Sequence, residues 1–305
     1  MKKETFKYSV LKTLCYSQVF SYPLTIHELW KYLISDKKIS YQEFLLRFYK
    51  TRQDFEQIGE YVVLFGDKHL VTQRHSRAYE SKRKMAKAHW ISQFLSVIPT
   101  IKLIAVSGSL SMFNAKKTDD IDLFFITSKN SLWISRFLVN LILFFLGEKR
   151  GRKEKYAKDK VCPNMFISED RLTISKKTMY TAHEVAQMKV IFSREDVVLD
   201  FFTANKWVLK FLPNVFVLGK KHKKEKSIHS GFLLQAIEKF FYFVQLQYMK
   251  KRITHETIKK DVAAFHPIQN DKIIQMLYTL KVNTQISIIQ DKNRHKSNHS
   301  TTVVN

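Results

Sequence analysis

The sequence predicts an α+β fold, on three observations. Helix signals followed by a hairpin open the chain, strands and helices alternate through its middle, and helical periodicity dominates its end. The 305 residues suit roughly two or three domains. We divide them into an N-terminal unit (1–75), a linking helix (76–98), a mixed-sheet domain (99–178), a helical C-terminal region (179–283) and a polar, disordered tail (284–305).

In the N-terminal unit, Leu11, Leu14 and Val19 follow a helical pattern that ends near Ser21-Tyr22-Pro23. Thr25 stands three residues before Glu28, a capping-box spacing that starts a second helix. Ser40 and Glu43 repeat it for a third, with Phe44, Leu45 and Phe48 as its apolar face. Tyr61–Phe65 and His69–Thr72 read as two strands around a Gly66-Asp67-Lys68 turn. Three helices and a hairpin in this order make a winged-helix-like unit, a fold whose third helix enters the major groove. Arg47, Lys50 and Arg52 on that helix, with Lys68 and Arg74 near the hairpin, are the candidate nucleic-acid contacts. A solvated basic face on a protein-binding module explains the same residues. The linking helix is strongly basic through Arg77, Lys82, Arg83, Lys84 and Lys87.

Composition points the same way without deciding it. With 52 Lys and Arg against 27 Asp and Glu, the net charge is +25 and the pI about 9.9. That balance favours polyanionic partners or anionic substrates such as nucleoside triphosphates. A chain rich in Lys, Phe and Ile but holding only 7 Gly and 5 Pro is also what an AT-rich genome produces. Cys15 and Cys162 lie far apart and in no metal-ligand spacing, so a reducing, cytoplasmic setting is expected. The N-terminus carries no signal-peptide run. Arg136 and Asn140 interrupt the most apolar stretch, Leu132–Leu146, which is shorter than the ~20 residues a bilayer needs, so no membrane partner is expected.

The chemistry concentrates in the mixed-sheet domain. Ile101–Val106 reads as a strand running into Ser107-Gly108-Ser109, and Asp120-Ile121-Asp122 opens a second strand that reaches Thr127. Glycine lets the backbone approach a phosphate closely, and the freed N–H groups and the Ser109 hydroxyl can donate to it. Side chains alternate along a strand, so Asp120 and Asp122 share a face with Cα atoms about 6.5–7 Å apart. Two carboxylates so spaced suit hard divalent cations, which bridge a triphosphate and stabilise an in-line displacement. The competing reading is a surface Asp-Asp turn ahead of an ordinary strand.

An apolar residue, Gly108-Ser109, a gap of ten residues, then Asp120, an apolar residue, Asp122 and another apolar residue resembles the signature of the polymerase-beta-type nucleotidyltransferase superfamily. The resemblance covers about residues 99–175, and bacterial proteins that join an N-terminal winged helix to such a domain look similar overall. It implies a mixed-sheet nucleotidyltransferase domain that moves a nucleotidyl group from a nucleoside triphosphate such as ATP to an acceptor, using Mg²⁺ or Mn²⁺. Gly108 and Ser109 would hold the triphosphate, and Asp120 and Asp122 the metal. The superfamily usually adds a third carboxylate on a later strand, and the matching strand here, Lys160–Ile167, offers Asn164 instead. Asn164 can ligate a metal through its carbonyl but is a poor base. A non-catalytic, nucleotide-sensing DNA-binding regulator therefore stands beside the enzyme reading.

Farther on, Val161–Ser168 and Leu172–Ile174 read as strands around a Glu169-Asp170 turn. One helix starts at Thr181 to Glu184, another runs from Asp196 to Phe211, and a long one spans Phe232–Met249. His183 and Glu184 are expected at a helix N-terminus, His266-Pro267 in a loop, and Trp207 and Phe240–Phe243 in the core. Lys220–Lys224 reads as a solvated run, which with Lys149–Lys155 would steer phosphates.

Overall fold

The computed structural model describes residues 5–151, 157–194, 196–215, 232–250, 257–264 and 269–300. The chain divides into two compact units. One comprises Met1–Thr72, Phe211–Asn214 and Asn270–Asn305, the other Gln73–Lys210 and Val215–Gln269.

The first unit opens with α1 (Phe6–Val19), β1 (Leu24–Thr25), α2 (Ile26–Lys31), α3 (Tyr41–Thr51), β2 (Glu56–Ile58) and β3 (Tyr61–Val63). Its antiparallel sheet has the order β1-β3-β2. The capping box at Thr25 and Glu28 is complete, and Ser40 accepts from the Glu43 N–H. These caps satisfy donors that a helix start otherwise leaves open. Val10, Leu14, Leu29, Phe44, Phe48 and Val62 form the buried core. The order is helix, strand, helix, helix and then the β2–β3 hairpin.

The hairpin differs from the sequence expectation. It joins β2 to β3 through Gly59, whose φ of +58° favours glycine. His69–Thr72, expected as a strand, begins α4 (His69–Leu95). No Gly or Pro occurs between Gly66 and Pro99 to stop a helix there, and Glu56-Gln57-Ile58 carries too little apolar alternation to announce a strand. Lys68 consequently stands ahead of α4, exposed and paired with Glu56 at 2.9 Å.

The second unit continues through β4 (Ile101–Val106), α5 (Gly108–Ser111), β5 (Ile121–Thr127), α6 (Leu132–Phe145), β6 (Val161–Ser168), α7 (Met179–Gln187), β7 (Lys189–Ser193), α8 (Val197–Ala204), α9 (Phe232–Lys250), β8 (Thr257–Lys259) and β9 (Val262–Ala264). The six strands form one mixed sheet in the order β7-β4-β5-β6-β9-β8. β5 and β6 are parallel and the other pairs antiparallel. Ile121, Leu123 and Phe125 point to one face, where α4, α6 and α9 supply Ile91, Leu95, Trp133, Leu143 and Met249. On the other face, Phe124 meets Phe201 of α8 with ring centroids 5.3 Å apart. Burying an aromatic side chain contributes about 1.5–3 kcal/mol, so this double-sided packing fixes β5 firmly. Glu238 of α9, itself buried, accepts from the Trp133 and Ile134 N–H groups at 2.8 and 3.0 Å and caps α6.

Other sequence expectations are corrected here. Leu172–Ile174 forms no strand, and α8 stops at Ala204 rather than reaching Phe211. Asn205 explains both: it donates to the Leu172 and Phe201 carbonyls, each at 2.9 Å, and accepts from the Ile174 N–H at 2.9 Å. Phe240 and Phe243 are 61% and 60% exposed, while Phe241 and Tyr242 pack against the core as expected. Trp207 and His183 are buried, and His183 lies inside α7 with its Nδ1 at 3.0 Å from the Met179 carbonyl. Lys220–Lys224 and His266-Pro267 lie outside the described residues. The tail expected from residue 284 onward is helical to Ser300, as part of α10 (Gln269–Ser300), which contains no Gly or Pro. α10 packs in the first unit, where Tyr278 meets Tyr16 at 5.6 Å. No helix among the described residues is long and apolar enough to cross a membrane.

Candidate functional site

β4 ends at Val106, and the chain turns at Gly108 into the short α5. Gly108 has a φ of +63°, a left-handed conformation costly for other residues. An added Cβ there would stand 3.1 Å from Asp122 Oδ2. The backbone at Gly108 therefore lies close against the Asp122 carboxylate. Ser109 is exposed, and its hydroxyl donates to Asp119 Oδ2 at 3.2 Å. The same Asp119 oxygen accepts from the Lys116 N–H at 2.9 Å, which ties the loop before β5 to α5.

Asp120 immediately precedes β5 and Asp122 is its second residue. One ligand atom from each and the sulfur of Cys162 all lie within 4.8 Å of one another. Cys162 arrives through the parallel pairing of β5 with β6, in which Asp122 is level with Cys162. Asn164, the expected third ligand, falls at the irregularity of that pairing, between Pro163 (level with Leu123) and Met165 (level with Phe124), and is buried. Cys162, not Asn164, thus stands level with Asp122.

Arg150 completes the cluster. The Arg150 N–H donates to the Val161 carbonyl at 3.0 Å, and the Val161 N–H to that of Glu148 at 2.8 Å. This short parallel bridge brings the Arg150 guanidinium to 2.6 Å from Asp120 Oδ2 and into a hydrogen bond with Cys162. Burial, and then the charge of Asp120, pushes the Asp122 carboxyl up to about 7, against the opposing pull of Arg150 and a hydrogen bond from Cys162. Burial, and then Asp122 and Asp120, pushes the Cys162 thiol up to about 12.

A second tier of charges holds the loops. Lys84 of α4 is fully buried, and its three ammonium protons find the Asp119 carbonyl at 2.6 Å, the Lys117 carbonyl at 3.3 Å and Asp159 Oδ1 at 2.6 Å. Arg83 grips both oxygens of Asp159 at 2.8 Å. Arg77 donates to Asn114 Oδ1 at 3.0 Å. The sequence marked these three cations only as a basic helix, and nothing in a run of Lys and Arg distinguishes the buried one.

The donor set fits a divalent cation. Two carboxylates and a thiol converge, and the glycine leaves space that a side chain would fill. Arg47, Lys50 and Arg52 are all exposed at α3 and its end, but Arg47 pairs with Glu43 and lies 6.0 Å from the centre of the Phe6 ring, and Arg52 lies 5.8 Å from that of Tyr49.

No protein-family model matches the chain, and no curated protein matches it. Among solved structures, it is similar to a toxin–antitoxin crystallised with AMP-PNP, at 18% identity and a TM-score of 0.25 over 38% of this chain and 82% of that one. It is also similar to the STING-associated CdnE c-di-GMP synthase from Capnocytophaga granulosa, at 16% identity and a TM-score of 0.29 over 91% of this chain and 99% of that one. Likeness at this level does not decide function, and the functional reading rests on the site.

Proposed function

We propose that the protein is a metal-dependent nucleotidyltransferase that binds a nucleoside triphosphate over Asp120 and Asp122 and passes a nucleotidyl group to an acceptor. The observation that carries this reading is the meeting of Asp120 and Asp122 in one seat, with Gly108 so close that a Cβ added there would stand 3.1 Å from Asp122 Oδ2. Asp120 and Asp122 would hold Mg²⁺ or Mn²⁺. When bound, the metal would neutralise phosphate charge and stabilise the oxygens exchanged at phosphorus. Gly108 admits the phosphate to the backbone, and the Ser109 hydroxyl can turn from Asp119 to donate to it. Arg150 has somewhere to go: as the carboxylates take up metal, its guanidinium is free to pair with phosphate oxygens.

A second reading keeps nucleotide binding without transfer, in a DNA-binding regulator. Its support is that the strand expected to bring a third carboxylate offers Asn164 and, level with Asp122, the Cys162 thiol, and neither is a carboxylate. One experiment separates the two. Purified protein is incubated with each labelled nucleoside triphosphate, Mg²⁺ or Mn²⁺, and cell RNA or lysate. Transfer to an acceptor that falls at least about 100-fold in Asp122→Asn supports the enzyme. Thermal stabilisation by nucleotide with no label transferred supports the regulator, and no stabilisation removes both.

A further inference from the structure

We propose that Cys162 is itself a metal ligand, so that the seat formed with Asp120 and Asp122 takes a softer transition-metal cation such as Co²⁺ or Zn²⁺ in preference to Mg²⁺. The proposal rests on the seat described under the proposed function, but its metal preference follows from the chain's own donor atoms. One oxygen from each aspartate and the cysteine sulfur already lie within 4.8 Å of one another. Metal–oxygen bonds of about 2.0–2.2 Å and metal–sulfur bonds of about 2.3 Å put neighbouring ligands roughly 3.3–3.8 Å apart in a tetrahedral site. Closing the difference asks for side-chain rotation, because the backbone is already set. β5 and β6 are hydrogen-bonded neighbours with Asp122 level with Cys162, and neighbouring strands run about 4.8 Å apart.

The chemistry of sulfur then decides the cation. Mg²⁺ keeps to oxygen ligands in near-ideal octahedral geometry, whereas a thiolate selects softer ions. On coordination the thiol gives its proton to solvent. Two carboxylates and one thiolate then carry the same formal charge as three carboxylates, so the seat keeps the charge needed for a divalent ion while changing its preference. Arg150 is the group displaced. It bonds both Asp120 and Cys162, its side chain is 44% exposed, and it can leave outward without disturbing the core.

The chain's cysteine content makes the test clean. It has two cysteines, and the other, Cys15, is buried in the first unit. Metal-free, full-length protein is titrated with Cd²⁺ and separately with Co²⁺, following the thiolate-to-metal charge-transfer absorption. Wild type and Cys15→Ser are expected to give a saturating band that Cys162→Ser loses, together with at least about tenfold in Cd²⁺ affinity. Excess Mg²⁺ should fail to displace Cd²⁺ from wild type. Cys162→Asp should lose the band and shift the Mg²⁺-to-Cd²⁺ affinity ratio at least about tenfold towards Mg²⁺. Absence of a band in wild type, which needs no variant to fold, overturns the proposal, as does a band that persists in Cys162→Ser or an easy displacement by Mg²⁺. A Mg²⁺–triphosphate thermal shift without any band would defeat thiolate ligation and leave nucleotide binding standing. A band without a nucleotide-dependent shift in any metal would do the reverse.

Discussion

At Asp122 the fold holds an acid where its charged form is disfavoured. The carboxyl sits between the Gly108 backbone, Asp120 and the Cys162 thiol, with the Arg150 charge opposing the shift, and is raised to about 7 from an ordinary value of 3.8. The consequence for stability has a definite sign. Below about pH 4 both folded and unfolded chains carry a protonated Asp122, and its effect on the balance is absent. Between about pH 4 and 7 the unfolded chain ionises first, so metal-free protein loses stability as pH rises through this window. Asp122→Asn removes the loss, because the amide is nearly isosteric and carries no charge. Thermal unfolding in chelator should therefore find the variant more stable than wild type at pH 8, by at least about 2 °C, and the gap should close towards pH 4. Divalent metal should reverse the order at pH 8 by stabilising wild type alone. A variant equally destabilised at both pH values would show Asp122 to be a packing residue.

Among the elements, α4 holds the loop that leads into the site. Arg83 and Lys84 both reach Asp159, but of the two only Lys84 also bonds the Lys117 and Asp119 carbonyls, which lead directly into Asp120, the Asp119 carbonyl accepting in addition from the Asp159 N–H at 3.3 Å. In Lys84→Met, Asp159 keeps its Arg83 partner, so the loss falls on the loop. Breaking a buried charge pair typically costs about 3–5 kcal/mol, and Arg83 should keep this case to the lower end. Nucleotide affinity should fall along with the melting temperature, and Mg²⁺–triphosphate should rescue less of the lost stability than it adds to wild type. A variant that melts low but binds nucleotide normally would confine Lys84 to a structural part. The elements also show what the sequence disclosed. Period-two spacing placed Asp120 and Asp122 together because alternation along a strand is local. Cys162 was invisible as a partner because its placement depends on the register of β5 against β6, set by residues some forty positions apart and shifted by an irregularity at Asn164. β7, β8 and β9 went unread because they span only five, three and three residues, too short for an apolar run to be told from a turn of helix or a loop. Asn205 ended a helix that periodicity alone would have continued.

For the molecule as a whole, the open question is whether a net charge of +25 reflects a nucleic-acid surface or composition alone. Either origin predicts that duplex DNA binds more weakly as salt rises, since each neutralised phosphate releases counterions. The slope separates them. If α3 meets the backbone, Lys50→Glu combined with Arg52→Glu should lower the slope of log affinity against log salt by about 1.8, roughly 0.9 for each contact removed. If the charge acts diffusely, the same pair should shift the slope no more than Lys37→Glu with Lys38→Glu, exposed lysines outside any helix. Arg47 is left in place because its bond to Glu43 makes its loss partly a helix effect. The full chain is the right material, because α10 and Phe211–Asn214 belong to the same unit as the three helices and a fragment ending at residue 75 would lack them. Asn214 alone accepts from the Ile39 N–H at 3.1 Å and donates to the Trp30 carbonyl at 2.8 Å, bracketing the segment that leads into α3. Binding that is salt-dependent yet indifferent to the α3 pair would move the first unit to a protein-contact role. The exposed Leu46 and Tyr49, at 68% and 51%, would then be the first residues to substitute.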